Sequence, residues 1–251
     1  MKTRLGITLI TALCGLMLIG WVLNETTTDL TASPPDDPIL KGLSELAVAS
    51  ISDAVDEVTG QRGFMSPDLR PIIKGKKIVG RAATVRLRKV IKVPEGSGLN
   101  HSVQILDNSG PGTILVVKIE DGVHIAGIGG LMATTCVARG IEGAVIDGGA
   151  RDIIEMQELG FQVYMRGVTP ATSVGRYTSV SSNEPMRVAD VWVNAGDIIV
   201  GDYDGVVCVP AGVAAKVLEI ARAYEEKEKK MVPLIRKYKS LQKALDAYGR
   251  I

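Results

Sequence analysis

The sequence predicts an α/β domain with parallel strand pairing, and three features predict it. Strand-like and helix-like runs alternate through the middle of the chain, at residues 113–118, 131–139, 144–146, 152–159 and 161–165. Glycines stand at the borders of these runs: Gly110 and Gly112 precede a strand, and Gly140 and Gly160 close helices. The composition, 46% hydrophobic and 23% charged, supplies a core of ordinary globular size.

The elements follow in order. Leu40, Leu43, Ala47, Ile51, Val55 and Val58 recur at helical spacing before Gly60, which predicts one helix, or two joined near Ser52 and Asp53. Residues 77–90 read as a strand, because Ala83, Val85 and Leu87 alternate with Thr84, Arg86 and Arg88. The apolar run at 113–118 is a buried strand after a turn. Two further strands, 197–200 and 206–209, flank the turn Asp202-Tyr203-Asp204-Gly205. Beyond residue 213 the pattern becomes helical. Val213, Val217, Ile220 and Tyr224 form one seam, Pro233 is expected to interrupt the helix, and Leu234, Tyr238, Leu241, Leu245 and Tyr248 form a second. Such a seam must be covered, by the domain itself or by a partner subunit.

The N-terminus does not belong to this fold. Lys2 and Arg4 precede an uncharged apolar run, residues 5–23, and a polar stretch with Pro34 and Pro35 follows. This is the pattern of a secretory signal, and the run is also close to the roughly 20 residues that span a bilayer. Residues 1–23 are therefore a signal peptide or an uncleaved anchor that leaves the remainder outside the cytoplasm. Residues 24–37 form a linker, 38–212 the domain and 213–251 a helical extension. Cys136 and Cys208 lie in apolar segments without metal-ligand spacing and read as two buried free thiols, the alternative being a disulfide between them outside the cytoplasm, and His101 and His124 read as local hydrogen-bonding residues. A net charge of +1 and 4% aromatics carry no nucleic-acid footprint.

Chemistry concentrates in two glycine clusters, Gly127-Ile128-Gly129-Gly130-Leu131-Met132 and Asp147-Gly148-Gly149-Ala150-Arg151-Asp152, each read as a loop ending where a helix begins. Glycines there admit a ligand close to the backbone, and free N–H groups at a helix start favour an anion. Arg151 can hold an oxyanion, and Asp152 can ligate a hard divalent cation. The alternative is a solvated helix start with an ordinary turn.

The run from Gly140 to Asp152 resembles the signature of the RraA-like / 4-hydroxy-4-methyl-2-oxoglutarate aldolase family around its arginine–aspartate pair. Further resemblance lies at Ile78-Val79-Gly80-Arg81-Ala82-Ala83-Thr84-Val85, at residues 111–117, at Gly201-Asp202-Tyr203-Asp204-Gly205 and its continuation to Pro210, and at Ser52-Asp53-Ala54. It spans residues 40–248 in order. The resemblance implies a single swivelling β/β/α domain assembled as a homotrimer or hexamer, with sites near subunit boundaries. It implies retro-aldol cleavage or oxaloacetate decarboxylation of a small 2-oxo acid through a pyruvate enolate, with Mg²⁺ or Mn²⁺ as Lewis acid. Carried over by motif, Asp152 matches the metal ligand and Arg151 the catalytic, substrate-holding arginine. Gly129, Gly130, Leu131 and Met132 match the substrate-binding loop. One departure stands out: typical aldolases of the family carry an acid 21 positions before the arginine, and here that position is Gly130. Glycine neither orders water nor moves a proton, so decarboxylation, which needs mainly the electron sink, tolerates the change better. The competing reading is an exported protein that binds 2-oxo acids without turnover. A methyltransferase lacks the expected nucleotide-loop context, and a serine hydrolase lacks its nucleophile elbow.

Overall fold

The structure, a computed structural model, describes residues 37–92, 98–122 and 124–248. Helices α1 (Pro38–Ser44) and α2 (Val48–Thr59) lead into the short β1 (Arg70–Pro71) and the long β2 (Ile78–Lys89). Then come α3 (Asn100–Asp107), β3 (Thr113–Ile119), α4 (Gly130–Ala138), β4 (Gly143–Ala150), α5 (Ile153–Glu158) and β5 (Val163–Val168). The last part holds β6 (Tyr177–Ser182), β7 (Met186–Val188), β8 (Val191–Val193), β9 (Ile198–Gly201), β10 (Val206–Val209), α6 (Ala214–Tyr238) and α7 (Leu241–Tyr248).

The main sheet runs β1-β5-β4-β3-β2-β9-β10, with β6 on the same edge of β2 as β9. Strands β2 to β5 pair in parallel, as the alternation predicts, and β1, β6, β9 and β10 add antiparallel partners. Strand β4 is buried along its whole length, which is why its sequence shows no alternation. One face carries α3, α4 and α5 over Val85, Leu115, Val117 and Ile146. On the other, Ala82, Ile114, Val116 and Tyr164 meet the hairpin β7–β8. Helices α1, α2 and α6 close a third cluster against β9 and β10.

Several expectations need correction. Gly148 and Gly149 lie inside β4 and not in a loop. Their lack of side chains serves close packing: a Cβ on Gly149 would stand 2.9 Å from the Ile125 carbonyl oxygen, and one on Gly148 would stand 2.6 Å from Ile119 Cδ1. The first two helices break at residues 45–47, not near Ser52, because Glu225 and Asp202 carboxylates accept the N–H groups of Ala47 and Val48 and start α2 there. Helix α6 continues through Pro233, which lies on its exposed side, where water can satisfy the carbonyl that the missing N–H leaves free. The chain turns instead at Lys239, at φ 50°, and α7 folds back on α6 around Met231 and Ala244. The second seam therefore covers itself in part, while Tyr238, Leu241 and Tyr248 stay exposed.

The expected signal or anchor at residues 5–23 lies outside the described residues, as does the linker up to residue 36. Among the described residues no helix is long and apolar enough to cross a membrane. Asp37, assigned to the linker, caps α1 through Ile39 N–H at 2.9 Å and pairs with Arg81 at 2.6 Å.

Candidate functional site

The site forms where β4 ends. The segment before α4 lies along the last residues of that strand: Gly127 N–H donates to the Gly149 carbonyl, and Gly149 N–H to that of Ile125, each at 2.9 Å. This pairing brings the two glycine clusters, some twenty residues apart in the chain, side by side. Arg151 and Asp152 leave β4 directly opposite Gly129 and Gly130, and Arg151 N–H donates to the Ile128 carbonyl at 3.2 Å.

Asp152 adopts φ 59° and ψ 41°, a left-handed conformation that an aspartate tolerates better than most residues. It occupies the N-cap of α5, yet its carboxylate caps nothing there. The carboxylate turns across to α4, where Oδ2 accepts the Gly130 N–H at 2.9 Å and lies 3.5 Å from Arg151 Nε. Both side chains remain about two-fifths exposed, 41% and 42%. A strained backbone that points a carboxylate away from its own helix suits a ligand-holding role.

A cavity of about 200 Å³ opens over this pair. Gly129, Leu131, Met132, Arg151 and Asp152 line it, and Gly130 sits between two of them. The structure thus brings Gly129, Leu131, Met132, Arg151 and Asp152 around one space. Leu99, Thr172, Ser173 and Val174 complete the wall, and no periodicity or motif in the sequence marks them. The N–H groups of Leu131 and Met132 fall in the first turn of α4, where they have no partner within the helix. Glu155, in the first turn of α5, lays its carboxylate against Gly130.

Beneath the site, Asp147 is a structural hub. Its buried carboxylate accepts from Lys118 Nζ at 2.6 Å, Arg166 Nε at 2.5 Å and Ala189 N–H at 2.8 Å. Burial pushes its pKa upward, but the hydrogen bonds from Lys118, Ala189 and Arg166 outweigh it and hold the carboxyl below its ordinary value.

The donor set constrains which metal this site could take. Among the described residues no three His, Cys, Asp or Glu side chains converge as a ready-made cage. One half-exposed carboxylate beside an open cavity instead suits Mg²⁺ or Mn²⁺, which keep most of their waters and take further oxygens from a substrate. Asp152 would hold it. Neither the histidines nor the cysteines line this cavity. His101 Nδ1 lies 3.0 Å from the Ser179 carbonyl, and His124 lines a neighbouring cavity with Asp121 and Arg176. Cys136 and Cys208 are free and buried, and burial pushes the Cys136 thiol up to about 12.

Three comparisons bear on this arrangement. A family model described as RraA-like, Aldolase/RraA, matches residues 48–208. A protein of Halalkalibacterium halodurans named as a putative 4-hydroxy-4-methyl-2-oxoglutarate aldolase is 32% identical over 174 residues, which is 68% of this chain and 76% of that one. Among solved structures, an uncharacterised protein from Pseudomonas syringae pv. tomato superposes with a TM-score of 0.76 at 29% identity, over 86% of this chain and 96% of that one. RraAS2 of Streptomyces coelicolor, described as an unusual member of the RNase ES inhibitor RraA protein family, superposes at 0.69 with 25% identity, over 79% and 97%.

Proposed function

Because this chain belongs to the RraA-like family, we propose that it is a divalent-metal-dependent carbon–carbon lyase acting on a small 2-oxo acid. The observation that carries the reading is the Arg151–Asp152 pair at the mouth of one cavity, with the Asp152 carboxylate anchored by Gly130 N–H. Asp152 would hold Mg²⁺ or Mn²⁺, which would supply Lewis acidity when bound. Arg151 offers a planar fork of donors to the oxygen that becomes negative as the carbon–carbon bond breaks. The Leu131 and Met132 N–H groups, at a helix start, receive the substrate carboxylate. Leu131, Met132 and Val174 give the cavity an apolar wall beside the charged pair. Two reactions fit one site: aldol cleavage of 4-hydroxy-4-methyl-2-oxoglutarate or a related adduct, and oxaloacetate decarboxylation.

Exposed apolar side chains beside the site, Leu131 at 88% and Ile154 at 73%, support the further proposal that a second copy covers this face in a homotrimer or hexamer. The test is pyruvate release from both substrates, with and without added Mg²⁺. Metal-dependent release supports the lyase. Protein that binds 2-oxo acids yet releases none is the binding protein that Gly130, in place of an acid, would favour.

A further inference from the structure

Aldol cleavage needs a group that decarboxylation does not: a base for the proton of the C4 hydroxyl. Arg151 cannot serve, since a guanidinium offers donors and no acceptor. Asp152 accepts the Gly130 N–H and, in the lyase reading, would hold the metal. The other carboxylate against the glycine pair is Glu155. A Cβ built on Gly130 would meet Glu155 Oε2 at 2.1 Å, Cδ at 2.5 Å and Oε1 at 2.7 Å. The three nearest atoms are thus one carboxyl group, which fills the volume that a side chain at position 130 would take.

The simple structural account of Glu155 is a capping box. It stands at the third position of α5, where a glutamate commonly reaches back to the N-cap N–H. No such bond forms, and among the described residues no hydrogen bond or ion pair ends on its carboxylate. The side chain leans across to α4 instead, with its acceptor capacity free.

We propose that Glu155 is the general base for aldol cleavage, supplied from α5 into the space that Gly130 leaves open. This rests on the lyase reading above. The carboxylate accepts the C4 hydroxyl proton, directly or through one water, as the C3–C4 bond breaks. A carbonyl forms at C4, and the electron pair of the broken bond becomes the C2–C3 double bond of the enolate beside Arg151. A proton from solvent at C3 completes pyruvate, and Glu155 returns its own to solvent. In oxaloacetate decarboxylation CO₂ carries no proton away, so Glu155 has no such part.

Four full-chain variants test this: E155A, E155Q, G130D and G130D/E155A. Each is assayed for both reactions with Mg²⁺ and melted without metal. E155A and E155Q should each lose aldol cleavage by about 10²-fold or more, with decarboxylation falling far less. G130D alone should melt lower, because it sets a second carboxylate against that of Glu155. Removing that carboxylate in the double variant should recover most of the loss and regain part of the cleavage, since the new acid enters the vacated volume. E155Q that cleaves at the wild-type rate would overturn the assignment while leaving the lyase intact, as would equal losses in both reactions. A wild-type protein that decarboxylates but cleaves no aldol substrate would also overturn it. Wild-type protein inactive in both reactions would remove the lyase reading itself, and the base with it.

Discussion

Replacing Asp147 by Asn tests whether this residue, though inside the glycine run, acts through stability alone. Asparagine keeps the volume but presents an NH₂ where Lys118 and Arg166 both donate, so at least one cation loses its acceptor. Breaking a buried ion pair by removing one partner costs about 3–5 kcal/mol. Asp147 is 2% exposed, but Lys118 and Arg166 retain 29% and 18% exposure and can be partly rehydrated. The expected loss therefore sits at the lower end, about 3 kcal/mol, or about 6–12 °C in Tm for a chain of this size. The pH dependence has a definite sign. A carboxyl whose pKa is lower in the folded state contributes stability fully present above its unfolded value, about 3.9, and lost as pH falls through the folded value. Thermal melts followed by circular dichroism should show the full gap between wild type and Asp147→Asn at pH 7, narrowing below about pH 4. A gap under about 1 kcal/mol at pH 7, or one that widens on acidification, would refute the hub.

Other outcomes follow from the site and its surroundings. Arg151→Lys keeps charge but loses the planar fork, so kcat/KM for pyruvate release should fall on the order of 10²-fold or more. Asp152→Asn keeps a residue that tolerates φ > 0, so calorimetry should find Mn²⁺ binding lost while the melting curve holds. Ile154→Arg, on an exposed position, should change monomer stability by less than about 0.5 kcal/mol but shift light scattering from a trimer or hexamer toward the monomer. Export predicts that a reporter active only outside the cytoplasm, fused after Leu40, is active; a working cytoplasmic reporter there contradicts it.

The sequence made β2, β3, α4, β9 and β10 legible because each is a strong apolar pattern bounded by glycine or by charge. It concealed the hairpin β7–β8, whose turn at Ala189 and Asp190 has φ 43° and 75° without the glycine or asparagine that usually marks it. The Ala189 N–H bond to buried Asp147 helps hold that turn, a contact between residues 42 positions apart. Strand β6, rich in serine, and the short α3 are set by packing against each other and not by local pattern. Gly148 and Gly149 carry the same loop-like signature whether they bend the chain or admit a neighbour, and only the position of Ile119 and Ile125 decides. In the site, Arg151 and Asp152 were legible as adjacent residues with complementary chemistry. Glu155, Thr172 and Val174 reach the cavity or its glycines through space, so nothing in linear order points to them.

Strand β2 shares one edge between β9 and β6, at residues 78–81 and 85–89. Both partners lie about a hundred residues downstream. During synthesis the parallel unit β2 to β5, which ends at Val168, is complete before residues 177–201 leave the ribosome. For that interval a long strand waits with one side unpaired, open to pairing with another nascent chain. Arg86, Arg88 and Lys89 sit along that open stretch and place like charges where a second copy of the strand would dock. Their replacement by neutral residues should leave the finished protein standing and lower its yield.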